Sequence, residues 1–340
     1  MLLSIALRRR LATAALLAIF LAAALPATAQ VLEPEGLRWR VAPDFGKGPK
    51  ARHEISGAAC APTSPPWRSC LAVNDEKKYA QFFAIEGGTA EGGTIVPGAF
   101  VRLSAEGKNG DPDAEGVAYD SGYFYVTGSH GRSRNTDKPN ASSYRVFRIK
   151  ADPRTGRPPV VSDDEVVGIE RSERLKRLIA VAEPVGRFED RPLAKGGLNV
   201  EGIAVKNGRM FVGFRGPSID RQAFIMSLDA AALFTGAGTR ARMHALPLGK
   251  NVGIRDLAAV DDGLLVLSGP MREEKKPFAV WLWNEREGAR LLGVIPRHHI
   301  PKSAKAETLL VLATEPRAYR VLVMFDGVEN GGPMSLRLPR

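Results

Sequence analysis

Carboxylates and arginines recur in this chain at the ends of short β-rich runs. Glu115 opens one run, and His130, Arg132 and Arg134 follow the next. Glu201 and Arg215 repeat that spacing, and Arg255, Asp256, Ser268 and Arg272 repeat it again with Asp256 in the acidic place. Glu307 with Asp326, and Ser56 with Asp75 and Glu76, are looser copies. Three chemistries fit such a constellation. The acids can pair with neighbouring arginines (Glu115 with Arg132, Glu201 with Arg215) and seal a buried space, since buried charge without a partner is costly. Carboxylates and loop carbonyls can hold a hard cation such as Ca²⁺, which takes six to eight oxygens. Or the arginines can grip an anionic substrate while Glu115, His130 or Glu201 serves as acid or base. His298 and His299 form a further polar pair on a loop.

The elements that must position these groups form an internal repeat. Each copy reads acid, apolar run, turn, β-rich run, polar tail: Asp113 to His130, Asn199 to Arg215, and Gly253 to Ser268. Turns at Asn207-Gly208 and Asp262-Gly263 are hairpin signals. The repeat anchors stand at 56, 115, 201, 256 and 307, at intervals of 59, 86, 55 and 51 residues. Repeats of this period point to a propeller or a repeat array. Third-strand runs follow at 80–85, 144–149, 223–228 and 278–283, and fourth-strand runs at 100–103, 243–248 and 291–295. Four antiparallel strands per repeat make a propeller blade. We therefore expect an all-β propeller of five four-stranded blades, with six as the alternative count.

The long interval holds a charged run, Glu165 to Ile179, with helical spacing of its apolar residues. We read a helical insertion over about 163–185. The last repeat is short, so ring closure is expected to borrow a strand near Trp39 and leave no open edge. On Trp281 and Trp283, which alternate along one strand, only one ring can face the packed side. In a meander, the innermost strand begins on the face where the second strand ends. Anchors and polar tails then share one mouth of the central channel, and loops bring Asp111, Asp113, Lys195 and Asn199 to it.

Arg8 to Arg10, the uncharged stretch Leu11 to Leu25 and the Ala27-Thr28-Ala29 site read as a secretory signal peptide over 1–29. Residues 30–53 then form a lead-in with the closing strand, and 54–340 the propeller. Loss of residues 1–29 removes three arginines and no acid, taking the net charge from +11 to +8. The basic surplus is scattered and the chain is exported, so a nucleic-acid partner is not expected, nor a membrane span once the signal is cleaved. We expect a monomer in the periplasm or outside the cell. Cys60 and Cys70, on the two arms of one hairpin in an exported chain, are expected to form a disulfide. No Walker loop, H-E-x-x-H, G-x-S-x-G or Cys/His cluster is present.

The blocks DAEGVAYDSGYFYVTGSHGRSR, GGLNVEGIAVKNGRMFVGFRGP and GIRDLAAVDDGLLVLSGP resemble the signature segments of a bacterial family known as domain of unknown function 3616. The resemblance runs from Glu54 to Gly327 and implies an exported propeller. It is similar in layout to wider groups that include phytase-like and lactonase-like secreted proteins, and it implies no particular activity. Ser56 lacks the acid of the E-G pair and Thr308 replaces its glycine.

Two functions follow from these readings. In one, the channel mouth, with Glu115, His130, Arg132, Glu201, Arg215, Arg255, Asp256 and Glu307, binds a small anionic or ester-containing ligand, with or without hydrolysing it. In the other, the charges pair among themselves, and the protein is a non-catalytic interaction or scaffold module of the cell envelope.

Overall fold

The computed structural model describes residues 30–340, apart from 37, 47, 63–66, 76–77, 88–91, 104–109, 134–135, 159–160, 163–164 and 167. The signal-peptide residues, Glu76 and Arg134 lie outside the described residues. The chain forms five sheets. Each starts with a strand at the centre and steps outward: Ile55–Cys60, Ala114–Asp120, Asn199–Lys206, Val252–Val260 and Lys305–Glu315 are the inner strands of blades 1 to 5. These inner strands touch in that cyclic order, the first also packing on the last, and so line a common axis. Tight hairpins link them to the second strands, as where Lys206 pairs with Arg209 across Asn207-Gly208. Asn207 and Gly208 both have positive φ, the conformation that turn of this type requires.

Alternation along each strand fills the space between blades. Leu265, Leu267 and Val280 of blade 4 pack with Leu309, Val321 and Val323 of blade 5. Val200, Val212, Phe214 and Met226 of blade 3 pack with Val146 of blade 2 and with Leu175 and Ile179 of the helix. On the alternating pair, Trp283 is buried against Phe211 and His244. Trp281 is half-buried and donates through Nε1 to Ser268 Oγ at 2.9 Å. Cys60 and Cys70 face each other across the first hairpin and are joined by a disulfide.

Two elements differ from the sequence expectation. The charged run from Glu165 is helical only over Arg174–Ala180. Its earlier part, Ile169–Ser172, is the outer strand of blade 2, paired with Val146–Lys150. Ile169 and Ser172 meet blade 2 while Glu170 and Arg171 face out, so a four-residue strand and a helix share what reads as one helical period. The insertion completes a blade instead of adding one.

Closure differs too. Arg38–Val41 pairs in parallel with Gly92–Ile95 at the edge of blade 1, and blade 5 has three strands of its own. The segment just before it reaches blade 5: Pro34 bridges Leu336, and Glu35 N donates to Ser335 O at 3.0 Å. Trp39 Nε1 also donates to Ser335 Oγ at 2.5 Å. The lead-in is thus a clasp laid across the seam between first and last blades. His299 Nε2, 2.7 Å from Glu33 Oε2, ties its beginning to the loop after blade 4.

Candidate functional site

A bulge of one residue interrupts the pairing of every inner strand near its start. The extra residues are Ser56, Glu115, Glu201, Arg255 and Glu307. A bulge re-aims a side chain that regular pleating would send between the sheets. Here it sends one polar side chain per blade toward the axis. The glycine that follows the acid has a steric cause. A Cβ on Gly116 would lie 2.7 Å from Glu201 O, and one on Gly202 2.7 Å from Asp256 Cα. The inner strands approach so closely there that only glycine fits.

The ring corrects the sequence alignment of blade 4. Arg255, not Asp256, holds the bulged position, and Asp256 occupies the slot of Gly116 and Gly202. Its carboxylate accepts from Leu257 N at 2.8 Å and from Leu309 N at 2.7 Å, bracing the inner strands of blades 4 and 5. Burial pushes the Asp256 carboxyl up, and these two amides pull it back toward the charged form.

Three of the five ring residues join one buried network. Arg255, 1% exposed, stands between Glu201, whose Oε2 is 3.2 Å from its Nε, and Glu307, whose Oε1 accepts from its Nη2. Arg215 Nη1 donates to Glu201 Oε1 at 2.6 Å, while its Nε donates to Met271 O at 3.0 Å. Two guanidiniums and two carboxylates balance. Burial lifts Glu307 to about 7, and Arg255 beside it works against that shift.

Glu115 has no such partner. It is 2% exposed, and among the described residues its Oε1 accepts no hydrogen bond. The expected pair with Arg132 does not form. Arg132 turns outward, donating from Nε to Asp137 O at 2.7 Å and standing 3.3 Å from Asp190. The loop carrying Arg132 runs on after strand pairing ends at Gly128, which takes the guanidinium beyond reach of the axis. Glu115 instead faces Asp75 and Asp113, with one carboxylate oxygen of each within 4.8 Å of the others. Burial first, then the charges of Glu201, Asp113 and Asp75, push its carboxyl well above the usual range.

His130 is 1% exposed and stacked beside Tyr144, with both ring nitrogens lacking hydrogen-bond partners among the described residues. Burial, reinforced by Lys176, lowers it to about 3. It is a neutral buried ring, a poor proton carrier. Ser268 also lies inside its blade, accepting from Trp281 Nε1.

Two cavities open at this mouth. One, of about 250 Å³, is lined by Arg215, Arg255, Arg272, Lys275, Arg297 and Lys305, with Glu273 and Glu274 on its wall. The other, of about 460 Å³, lies over the acidic side and includes Asp75, Asp111, Asp113, Arg132 and Asn199. Sequence reasoning missed Lys275, Arg297 and Lys305. Arg297 and Lys305 flank the inner strand of blade 5 and Lys275 follows the second strand of blade 4, positions that the repeat marks as mouth-facing.

The opposite end of the axis is apolar. Ala58, Val117, Ile203, Leu257 and Leu309 begin a lining that continues through Ala118, Ala204, Ala258 and Leu310 around a cavity of about 90 Å³. Among the described residues no helix is long and apolar enough to cross a membrane.

Inner-strand ring, radial blades and a clasped seam define a five-bladed β-propeller. A family model described as "Protein of unknown function (DUF3616)" matches residues 88–166 and 161–331, and the chain belongs to that family. No curated protein matches the chain in sequence. Among solved structures, it is similar to a putative glycoside hydrolase from Bacteroides ovatus, with 10% identity, TM-score 0.44, and 92% of this chain and 96% of that one covered. It is similar also to the catalytic domain of a GH62 alpha-L-arabinofuranosidase from Coprinopsis cinerea, with 11% identity, TM-score 0.44, and 90% and 98% covered. A family 117 glycoside hydrolase from Zobellia galactanivorans has 8% identity and TM-score 0.43, with 91% and 90% covered. No residue role is carried over from any of them.

Proposed function

We propose that the protein binds a small anionic ligand in the basic cavity at the channel mouth, and that it works outside the cytoplasm. The observation that carries this reading is the convergence of Arg215, Arg255, Arg272, Lys275, Arg297 and Lys305 on one cavity of about 250 Å³. Two of these cations are held rigidly from below by Glu201 and Glu307. Planar guanidiniums fixed in this way suit a carboxylate, sulfate or phosphate group. The Cys60–Cys70 disulfide supports the extracytoplasmic location, since such bonds persist in oxidising compartments.

Hydrolysis of an ester-containing ligand is a second reading, and Glu307 favours it. A carboxyl near 7 beside the floor of a cationic cavity has the proton affinity a general acid or base needs. His130 is too deeply buried for that part, and Glu201 is held by two arginines.

The test is calorimetric titration with phosphate, sulfate, citrate and glucuronate in a chelator-containing buffer, alongside Arg272→Ala and Lys275→Ala. Affinity for at least one anion should fall about tenfold in either variant, as loss of one charge-assisted contact predicts. Wild-type protein that takes up none of the four would sink the reading. Turnover of aryl esters that disappears in Glu307→Gln while anion affinity persists would establish the hydrolytic version.

A further inference from the structure

The acidic side of the mouth carries a feature that the anion cavity does not explain. Asp75 follows the second strand of blade 1, Asp113 precedes the inner strand of blade 2, and Glu115 is the bulged residue of that strand. Three blades' worth of chain thus meets at one spot when Asn199, at the start of the blade 3 inner strand, is included. One oxygen from each of the three carboxylates falls within 4.8 Å of the others. Like charges at that separation repel. Asp113 is even held in place. Its backbone carbonyl accepts from Ser129 N at 2.9 Å, and Ser129 Oγ donates to its carboxylate.

A second, independent observation lies on the same cavity. Asn199 is 7% exposed, and its side-chain carbonyl oxygen has no hydrogen-bond partner among the described residues. A buried amide oxygen left without a donor is destabilising unless something else fills its lone pairs. Glu115 Oε1 is orphaned in the same way. Arg215 and Arg255 meet Glu201 and Glu307 elsewhere in the ring, whereas Arg132 turns to Asp137 and Asp190.

We propose that Asp75, Asp113 and Glu115, with Asn199 as a neutral oxygen donor, form a site for a hard divalent cation of the calcium type. The donor set is oxygen throughout, with neither thiolate nor imidazole, which suits Ca²⁺ over zinc or copper. The cavity of about 460 Å³ above it leaves room for the waters that would complete six to eight ligands. The cation takes beside Glu115 the place that Arg255 takes beside Glu201 and Glu307. It ties blades 1, 2 and 3 together as Arg255 ties blades 3, 4 and 5. The site shares no lining residue with the anion cavity, which is titrated in the presence of chelator.

The experiment uses the mature protein after chelator treatment. Melting temperature and calorimetric heat are followed while CaCl₂, MgCl₂ or ZnCl₂ is added at constant ionic strength. Calcium in about hundredfold excess over its dissociation constant should raise the melting temperature by roughly 5 °C. Magnesium should do less. Glu115→Gln, which keeps the shape and removes one charge, should weaken calcium binding at least tenfold and abolish the shift. Asp75→Asn, at a partly exposed position, carries the same test should Glu115→Gln fail to fold. A wild-type protein indifferent to calcium overturns the proposal. So does an equal calcium response in wild type and variants, or a zinc response larger than that to calcium.

Discussion

Arg255 Nε lies 3.2 Å from Glu201 Oε2, across the junction between two blades. Both residues are bulged out of their own strands, so a contact between adjacent repeats is made by the two positions that the pairing of each repeat leaves over. Arg255 extends the link to Glu307 in the next blade. One side chain spans three blades.

Replacing Arg255 with methionine leaves Glu201 with one cation and Glu307 with none from the ring. Breaking a buried ion network from one side costs about 3–5 kcal/mol. We expect Arg255→Met to lose that much in urea unfolding, and the double variant with Glu307→Gln, which leaves the Arg215–Glu201 pair balanced, to recover a large part. No recovery would mean that Arg255 stabilises by packing instead of charge.

His130 predicts a pH dependence. Its folded value of about 3 lies below the free value of 6.5, so the unfolded chain takes up the proton first. The stability it supports is fully present above about pH 6.5 and is lost as pH falls from there toward 3. The loss amounts to a few kcal/mol at most. His130→Phe keeps a ring beside Tyr144 and should flatten the stability profile between pH 4 and 6.5. An unchanged slope would show that other groups carry the acid sensitivity.

Gly116→Ala and Gly202→Ala each drive a methyl to 2.7 Å from the backbone of the next inner strand. Backbone cannot give way as a flexible side chain can. Each variant should lose about 3 kcal/mol or more, or fail to accumulate as folded protein. Gly208→Ala is a control for a turn glycine: a Cβ there meets nothing within 4 Å, so only the strain of positive φ is added, about 1 kcal/mol.

Removal of the Cys60–Cys70 bridge by a double change to alanine should lower stability by about 3 kcal/mol, as closure of a loop of that size predicts. Equal denaturation midpoints with and without reductant would contradict this.

The blade count and hairpins were legible because turn dipeptides and β-branched runs are local signals, and Asn207-Gly208 is decoded without knowing its neighbours. The mouth was legible in outline for a topological reason: strand alternation fixes where inner strands begin. What failed was anything one residue wide. A bulge shifts the axis-facing position without leaving a mark in composition, so Asp256 took the place that belongs to Arg255. The Glu115–Arg132 pairing failed because a loop, not a strand, carries the arginine. The Glu165 run misled because the two less exposed residues of its strand, Ile169 and Ser172, stand three apart, which is the spacing of a helix.

The apolar half of the axis has its own consequence. The side chains of Ala58, Val117, Ile203, Leu257 and Leu309 carry neither charge nor a hydrogen-bonding group. Arginines, lysines and carboxylates gather at the other end. The two faces of the disc are therefore chemically unequal from the first strand onward, and a charged molecule approaching along the axis is recognised on one of them.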